Sequence, residues 1–233
     1  MTLLCRGLQV RYGGALVLEA VDLDAPGGWL GLAGANGAGK SSLLQAIVGR
    51  VPLAGGEVWL DGENLTSAPS ERARQIGFAP DPNDLPEALS GNELLALLAQ
   101  ARGGFGGAFA RLNEALELGA LARRVIQSLS AGERQRVALA CAAIGAPRAL
   151  VFDEPFNWLD PKAAIRMKEA LAGLAQEGIP VLTALHDPAL LAIRCDAGIL
   201  LSKGRVARQF DRAALRARVS DLPAFERELA ALM

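Results

Sequence analysis

Gly34-Ala35-Asn36-Gly37-Ala38-Gly39-Lys40-Ser41-Ser42 is a complete G-x-x-x-x-G-K-[ST] loop. Its flanks agree with it. Trp29-Leu30-Gly31-Leu32-Ala33 reads as a short buried strand, and Ser42 to Val48 as the opening turns of a helix. The glycines let the backbone curl until successive N–H groups face one point, and a helix N-terminus adds positive potential there. Lys40 would reach the outer phosphates of a nucleotide, and the Ser41 hydroxyl would hold Mg²⁺. The loop therefore predicts an α/β core with a nucleotide at the end of a parallel strand.

Downstream, Arg148-Ala149-Leu150-Val151-Phe152-Asp153 is an apolar strand ending in a carboxylate, followed by Glu154-Pro155. An aspartate at a strand end meets Mg²⁺, and Glu154, one residue further, is placed to polarise an attacking water. Ile179 to Leu185 is another buried strand, and it ends at His186, the only histidine. Open α/β sheets put ligand contacts at that edge. Ser130 and Glu133 form a capping box, S-x-x-E, ahead of the helix that runs to about Ile144. Gly132 in its first turn costs helix stability, which predicts that something approaches the backbone closely there. This helix start is a second candidate anion site.

Upstream, Leu8–Tyr12 and Leu16–Asp24 read as a hairpin about Gly13-Gly14. Tyr12 either stacks on an adenine face or packs as an ordinary hairpin tyrosine; the local sequence serves both. Further strands are expected at Glu57–Leu60 and Arg74–Ala79, and about residues 83–147 read as a mainly helical insert. Pro161 to Glu177 is an amphipathic helix with Pro in its first turn and Gly178 after its end. Residues 211–233 are expected to be helical, with no chemistry of their own.

The 233 residues carry a formal net charge of −1, which gives no electrostatic case for nucleic acid. Hydrophobic residues reach 51%, yet no run approaches the roughly 18 apolar residues of a membrane span. No secretory leader is read, since Arg6 and Arg11 precede any apolar region. Cys5, Cys141 and Cys195 are odd in number and far apart, which suits buried thiols in a reducing cytoplasm.

Taken in order, these residues resemble the ATP-binding subunits of ABC transporters over almost the whole chain. The resemblance implies a P-loop NTPase (RecA-like) α/β core with an N-terminal antiparallel β-subdomain and an inserted α-helical subdomain. Residues 1–82 and 148–210 would form the core and β-subdomain, 83–147 the helical subdomain and 211–233 a terminal helical segment. It implies ATP and Mg²⁺ as ligands. Tyr12 would be the adenine-stacking aromatic, and Gly34, Asn36, Gly37, Gly39, Lys40, Ser41 and Ser42 the ATP-binding loop. Leu129-Ser130-Ala131-Gly132-Glu133 stands for the family's LSGGQ motif, so Ser130, Ala131, Gly132 and Glu133 would bind the ATP of a second, identical subunit in trans. Ser41, Asp153 and Asp81 would attend the metal, and Glu154 and His186 would be catalytic. Asp160, in Asn157-Trp158-Leu159-Asp160, would cross the dimer interface and couple the two sites.

The chain departs from the pattern at three places. Ala131 replaces a glycine, Trp158 stands where a small residue is usual, and Asp81 replaces a glutamine that senses Mg²⁺. The acidic Asp81 resembles the two-component exporter class, and Leu129–Phe156 also resembles the haem-exporter ATPase of cytochrome c maturation. The expectation is thus a cytoplasmic motor, peripheral on the membrane through permease subunits, and driving export. Part of the leucine-rich surface, around Leu85 and Leu89, is expected to offer those subunits a groove, with Gly91 as a pivot, while leucines of this stretch serve equally as the core of the helical subdomain. A soluble ABC ATPase of ribosomes or DNA usually has two modules, long coiled coils or zinc modules, none of which is seen. A P-loop metabolic kinase would give no reason for the Ser130 helix or His186.

Overall fold

A computed structural model describes residues 1–233. The first hairpin is longer than its sequence signal: β1 (Leu3–Tyr12) pairs antiparallel with β2 (Ala15–Ala25). On its other edge β1 pairs with β4 (Gly55–Leu60), which turns into the two-residue β5 (Glu63–Asn64). The order of this antiparallel sheet is β2-β1-β4-β5.

The second sheet contains β3 (Trp29–Gly34), β6 (Ile76–Phe78), β7 (Ala149–Asp153), β8 (Val181–Ala184), β9 (Ala197–Ser202) and β10 (Arg205–Phe210). Its order is β10-β9-β3-β8-β7-β6. All pairs are parallel except the β9–β10 hairpin at the edge. Central strands of such a sheet are buried on both faces, so they read as continuous apolar runs. The period of two then divides their side chains between two cores. Leu30, Leu32, Ala149, Val151, Leu182, Ala184, Ile199 and Leu201 join the antiparallel sheet and helix α1 (Lys40–Ile47) on one face. Trp29, Leu150, Phe152, Val181 and Leu200 join the remaining helices on the other.

Those helices include α3 (Gly91–Arg102), α4 (Gly107–Ala115), α5 (Leu118–Leu121) and α6 (Ala131–Cys141), within the span expected to be helical. Helix α7 (Pro161–Gln176) links β7 to β8, and α8 (Pro188–Arg194) follows His186. The chain closes with α9 (Arg212–Arg218) and α10 (Leu222–Leu232), which pack on α8 and β9.

Three expectations change. Arg74 and Gln75 close a helix, α2 (Pro69–Gln75), and the strand is only Ile76–Phe78. Pro69 starts this helix at its first position, and Arg72 anchors it by donating to the Leu65 and Thr66 carbonyls. Gly91 is not a pivot: it is buried in the first turn of α3, and a Cβ there would lie 2.9 Å from Ala122 Cα. Of the leucines expected to form a groove, Leu85, Leu94 and Leu95 are core residues, and Leu97 is exposed.

Candidate nucleotide site

Four parallel strands deliver the chemistry to one edge of the sheet. β3 leads into the P-loop, β7 ends at Asp153, β8 leads to His186, and β6 leads to Asp81. In register, Asp153 lies beside Ala184, two residues before His186. This is the carboxyl edge, where open α/β sheets bind ligands.

The loop is built for an anion. The N–H groups of Gly37, Gly39, Lys40 and Ser41 have no acceptor within the chain, although they open helix α1. Gly39 has φ 102°, and a Cβ there would sit 2.7 Å from Leu18 Cδ2, so no other residue fits. Lys40 is buried, and its Nζ donates to the Gly34 carbonyl at 2.7 Å and the Ala35 carbonyl at 3.2 Å. An ammonium parked on two carbonyls can move to phosphate oxygens without crossing an apolar barrier. Asn36 is exposed at the loop tip and Ser42 is half-buried behind it. Val17 and Leu18 of β2 lie against Gly39, which brings the exposed end of the hairpin, with Tyr12, to this side of the loop.

Asp153 sits half-buried with its Oδ1 buried and unpartnered. Burial pushes its pKa up, and the Glu154 charge adds to this; the Ser41 hydroxyl, Lys40 and His186 pull it back. A carboxylate oxygen with no partner beside a serine hydroxyl is a hard oxygen set that suits Mg²⁺. Asp81 borders the same cleft, and its Oδ1 accepts from the Asn83 N–H at 2.8 Å, capping the turn at Pro82–Asp84.

Glu154 is held from two sides. His186 Nε2 lies 2.5 Å from its Oε1, and Asn157 Nδ2 donates to its Oε2 at 2.7 Å. Its φ of 50° is a left-handed conformation, rare for a side chain of this size, and it aims the carboxylate out of the strand line. Local sequence gives no sign of the His186–Glu154 contact or of the Asn157 clamp. The cleft, about 430 Å³, is lined by Ser41, Asp81, Gln135, Asp153, Glu154 and Trp158 among others. Gln135 of α6 is buried and donates to the Pro155 carbonyl at 3.4 Å, tying α6 to the loop after β7.

Helix α6 begins as its capping box predicts. Ser130 Oγ accepts from the Glu133 N–H at 3.3 Å, and Glu133 Oε2 accepts from the Ser130 N–H at 2.7 Å. The N–H groups of Ala131 and Gly132 have no acceptor. The close approach expected at Gly132 is made by the chain itself. A Cβ there would lie 2.5 Å from the Trp158 carbonyl oxygen, so glycine is required by the chain's own packing. Asp160 is also occupied: its Oδ1 caps α7 at 2.9 Å from the Ala163 N–H, and its Oδ2 pairs with Arg136 of α6. Both oxygens are engaged in the chain's own fold, so its direct reach across an interface is not what this conformation displays.

A strand, a phosphate loop and a helix, with an aspartate–glutamate pair at the end of another parallel strand of the same sheet, define a P-loop ATPase. Residues 18–157 match the sequence family described as ABC transporter, and the chain belongs to that family. It is 39% identical over 215 residues to the hemin import ATP-binding protein HmuV of Pseudomonas entomophila, covering 85% of this chain and 82% of that protein. It is 36% identical to the Fe(3+) ions import ATP-binding protein FbpC of Streptomyces avermitilis, spanning 89% of this chain and 62% of that longer protein. Among solved structures, an ATP-binding subunit of an ABC transporter superposes with a TM-score of 0.85 at 29% identity, covering 99% of this chain and all of that one. The dimeric ATP-binding cassette MJ0796 bound to ADP and Pi superposes at 0.77 with 26% identity, over 91% of this chain and 99% of the other. The chain is thus an ABC ATP-binding subunit and an ATPase. These relatives are named for import and give no support to the export expected from Asp81 and the likeness to the haem exporter. No helix is long and apolar enough to cross a membrane.

Proposed function

We propose that this chain is the motor of an importer, working as two identical copies that close head to tail around ATP. The observation that carries the hydrolytic role is Glu154, clamped by His186 and Asn157 at the mouth of the cleft that holds Ser41 and Asp153. Glu154 takes the proton of the attacking water, and His186 Nε2 keeps that carboxylate in place before ATP arrives. The free N–H groups of the P-loop and Lys40 bind the phosphates. Ser41 and Asp153 would hold Mg²⁺, which supplies charge neutralisation to the phosphates. Asp81 would join them from the edge of the cleft, where the family has its Mg²⁺-sensing residue. In the closed pair, the free N–H groups at Ala131 and Gly132 of one copy face the phosphates held by the other, with Ser130 and Glu133 shaping that helix start. Tyr12, exposed beside the loop, stacks on the adenine. Asp160 acts through Arg136, tying the loop after β7 to α6, so movement at one nucleotide reaches the helix that serves the other.

The partner surface adjoins the cleft. A groove of about 170 Å³ is lined by Arg50, Phe78, Pro80, Leu85, Leu98 and Arg102 among others, and it shares Arg50, Phe78, Pro80 and Asp84 with the nucleotide cleft. We assign it to a short cytoplasmic helix of a permease subunit, which would hold the chain at the inner membrane face. The relatives' names suggest haem or ferric iron as cargo, chosen by those permease subunits.

The test of the motor is Glu154→Gln. It should bind ATP, hydrolyse it at least about 10²-fold more slowly, and accumulate as an ATP-dependent dimer. Near-normal turnover would remove Glu154 from its role. The test of the partner is Leu98→Glu, in the groove and outside the nucleotide cleft, which should abolish co-purification with the permease while leaving ATPase activity of the isolated chain intact. Uptake of radiolabelled iron or haem by cells lacking the chain tests the cargo.

A further inference from the structure

The turn between β9 and β10 lies against two parts of the nucleotide site that are remote from it in sequence. Lys203 and Gly204 make the whole turn, since Ser202 and Arg205 on either side of it are paired. Both are left-handed, with φ 49° and 76°, the twist that a two-residue hairpin needs. The Gly204 N–H donates to the carbonyl of Ala38, in the P-loop, at 3.0 Å. The Gly204 carbonyl accepts from the Glu19 N–H of β2 at 2.9 Å. No space is left between the turn and β2: a Cβ on Gly204 would lie 2.1 Å from the Val17 carbonyl oxygen. One residue, through its own N–H and C=O, thus joins the loop that binds phosphates to the hairpin that carries Tyr12.

The hairpin is distorted to make this join. Between the pairs Leu8–Val21 and Val10–Leu18, β2 has one residue more than β1. This is a β-bulge, and Ala20 within it has φ 52°, a left-handed conformation that is costly for a residue with a Cβ. The bulge takes the Glu19 N–H out of the β1–β2 ladder and leaves it for Gly204. The Glu19 side chain adds an ion pair, its Oε1 2.7 Å from Arg205 Nη2. Strain held in place by such contacts points to a role for the join. The P-loop has an internal bond of its own, from the Ala38 N–H to the Ala35 carbonyl at 3.1 Å. What the turn adds is a fixed distance from that loop to the hairpin.

We propose that Gly204 is a positioning residue of the nucleotide site: the Lys203–Gly204 turn sets the span between the phosphate loop and Tyr12, so that one ATP engages both. This rests on Tyr12 being the adenine-stacking residue, as proposed above. A ligand that touches two sites gains from their being held at the spacing it fits, and a ligand that touches one gains nothing from it. ATP therefore reports on the span, and inorganic triphosphate reports on the loop alone.

The test compares dissociation constants for ATP and for inorganic triphosphate, each with Mg²⁺, on the full chain. Gly204→Ala forces the turn off Val17 and should weaken ATP at least about fivefold more than triphosphate, the scale of one lost hydrogen bond. Its Cβ also strains the turn, so a second form keeps the glycine and decides wherever Gly204→Ala fails to fold. Residues 195–233 are synthesised with an ester in place of the Lys203–Gly204 amide and joined to the rest at the native Cys195, which deletes the Gly204 N–H and no side chain. The refolded ester chain should show the same selective loss against an all-amide chain made the same way. Tyr12→Ala should weaken ATP and leave triphosphate unchanged. If Tyr12→Ala leaves ATP binding unchanged, Tyr12 is not the adenine contact and Gly204 has no span to set. If Tyr12→Ala weakens ATP alone, while the ester chain weakens neither ligand or both equally, the positioning role of Gly204 alone is overturned. A turn that merely holds the fold together would not tell the two ligands apart.

Discussion

Helices α3 and α6 start with nearly the same sequence, Ser90-Gly91-Asn92-Glu93 and Ser130-Ala131-Gly132-Glu133, and with the same capping box. Both first turns contain a glycine that the chain's own packing requires, against Ala122 in one and the Trp158 carbonyl in the other. They differ in where their free donors go. In α3, the Gly91 and Asn92 N–H groups donate to the Arg124 and Ala122 carbonyls at 3.2 and 2.6 Å. In α6, the corresponding N–H groups of Ala131 and Gly132 have no acceptor, and Ser130 and Ala131 are exposed. A capping box with a glycine is thus no mark of a ligand site. What sets α6 apart is that its donors stay open for the partner's phosphates that we propose it meets.

The sharpest way to break this contrast is to place the same charge at both starts. Ser130→Arg should cut ATP turnover by about 10²-fold or more, the scale of losing a preorganised donor, while Ser90→Arg stays near wild type. Equal effects would make α6 an ordinary structural helix. Mixing Ser130→Arg with Lys40→Ala subunits puts both defects on one composite site, and activity should return. His186→Ala comes next: turnover should fall roughly 10-fold to 10²-fold with little change in ATP affinity, since His186 positions Glu154. Matched losses in both would make it a structural residue.

Asp153 extends the comparison to a carboxylate left unpartnered. Its pKa is raised in the fold, so its ionised form withholds stability. That stability is present at acid pH and is lost as pH rises through the carboxylate range to the raised value. Asp153→Asn should raise the thermal midpoint at neutral pH by about 2 °C while abolishing Mg²⁺-dependent turnover. A lowered midpoint would show that the carboxylate is paired in solution. The smallest effect is the cap itself. Ser90→Ala and Ser130→Ala should each cost about 1 kcal/mol in chemical denaturation, and only the second should touch turnover.

What the sequence showed plainly is what local pattern encodes. The P-loop, the apolar run into Asp153-Glu154 and the strand into His186 each combine a period and an end residue within a few positions. The Ser130–Glu133 box was legible for the same reason. A close approach at Gly132 was legible, but not what makes it, because the atom that forbids a side chain belongs to Trp158. Nor could pattern show that His186 clamps Glu154 or that Arg136 holds Asp160, since each pair is joined only when β7, β8 and α6 pack. Helix α2 hid behind its short length and its arginines, one of which is buried. Leucines at 85, 94 and 95 looked like surplus surface because the helix they pack on, α6, is remote in sequence. The thiols behaved as composition suggested: all are free and buried, and burial pushes Cys5 and Cys141 up to about 12, beyond ordinary oxidation chemistry.

The lone histidine has one more consequence. His186 is the only imidazole in the chain, and its Nε2 touches the carboxylate that the hydrolytic step depends on. A nitrogen-15 spectrum of the whole protein labelled at histidine therefore contains a single ring, with no assignment to make. That ring is a built-in spectroscopic reporter. Its Nε2 shift reads whether Glu154 is held or released, and it can be followed through nucleotide binding, closure and turnover without any introduced probe.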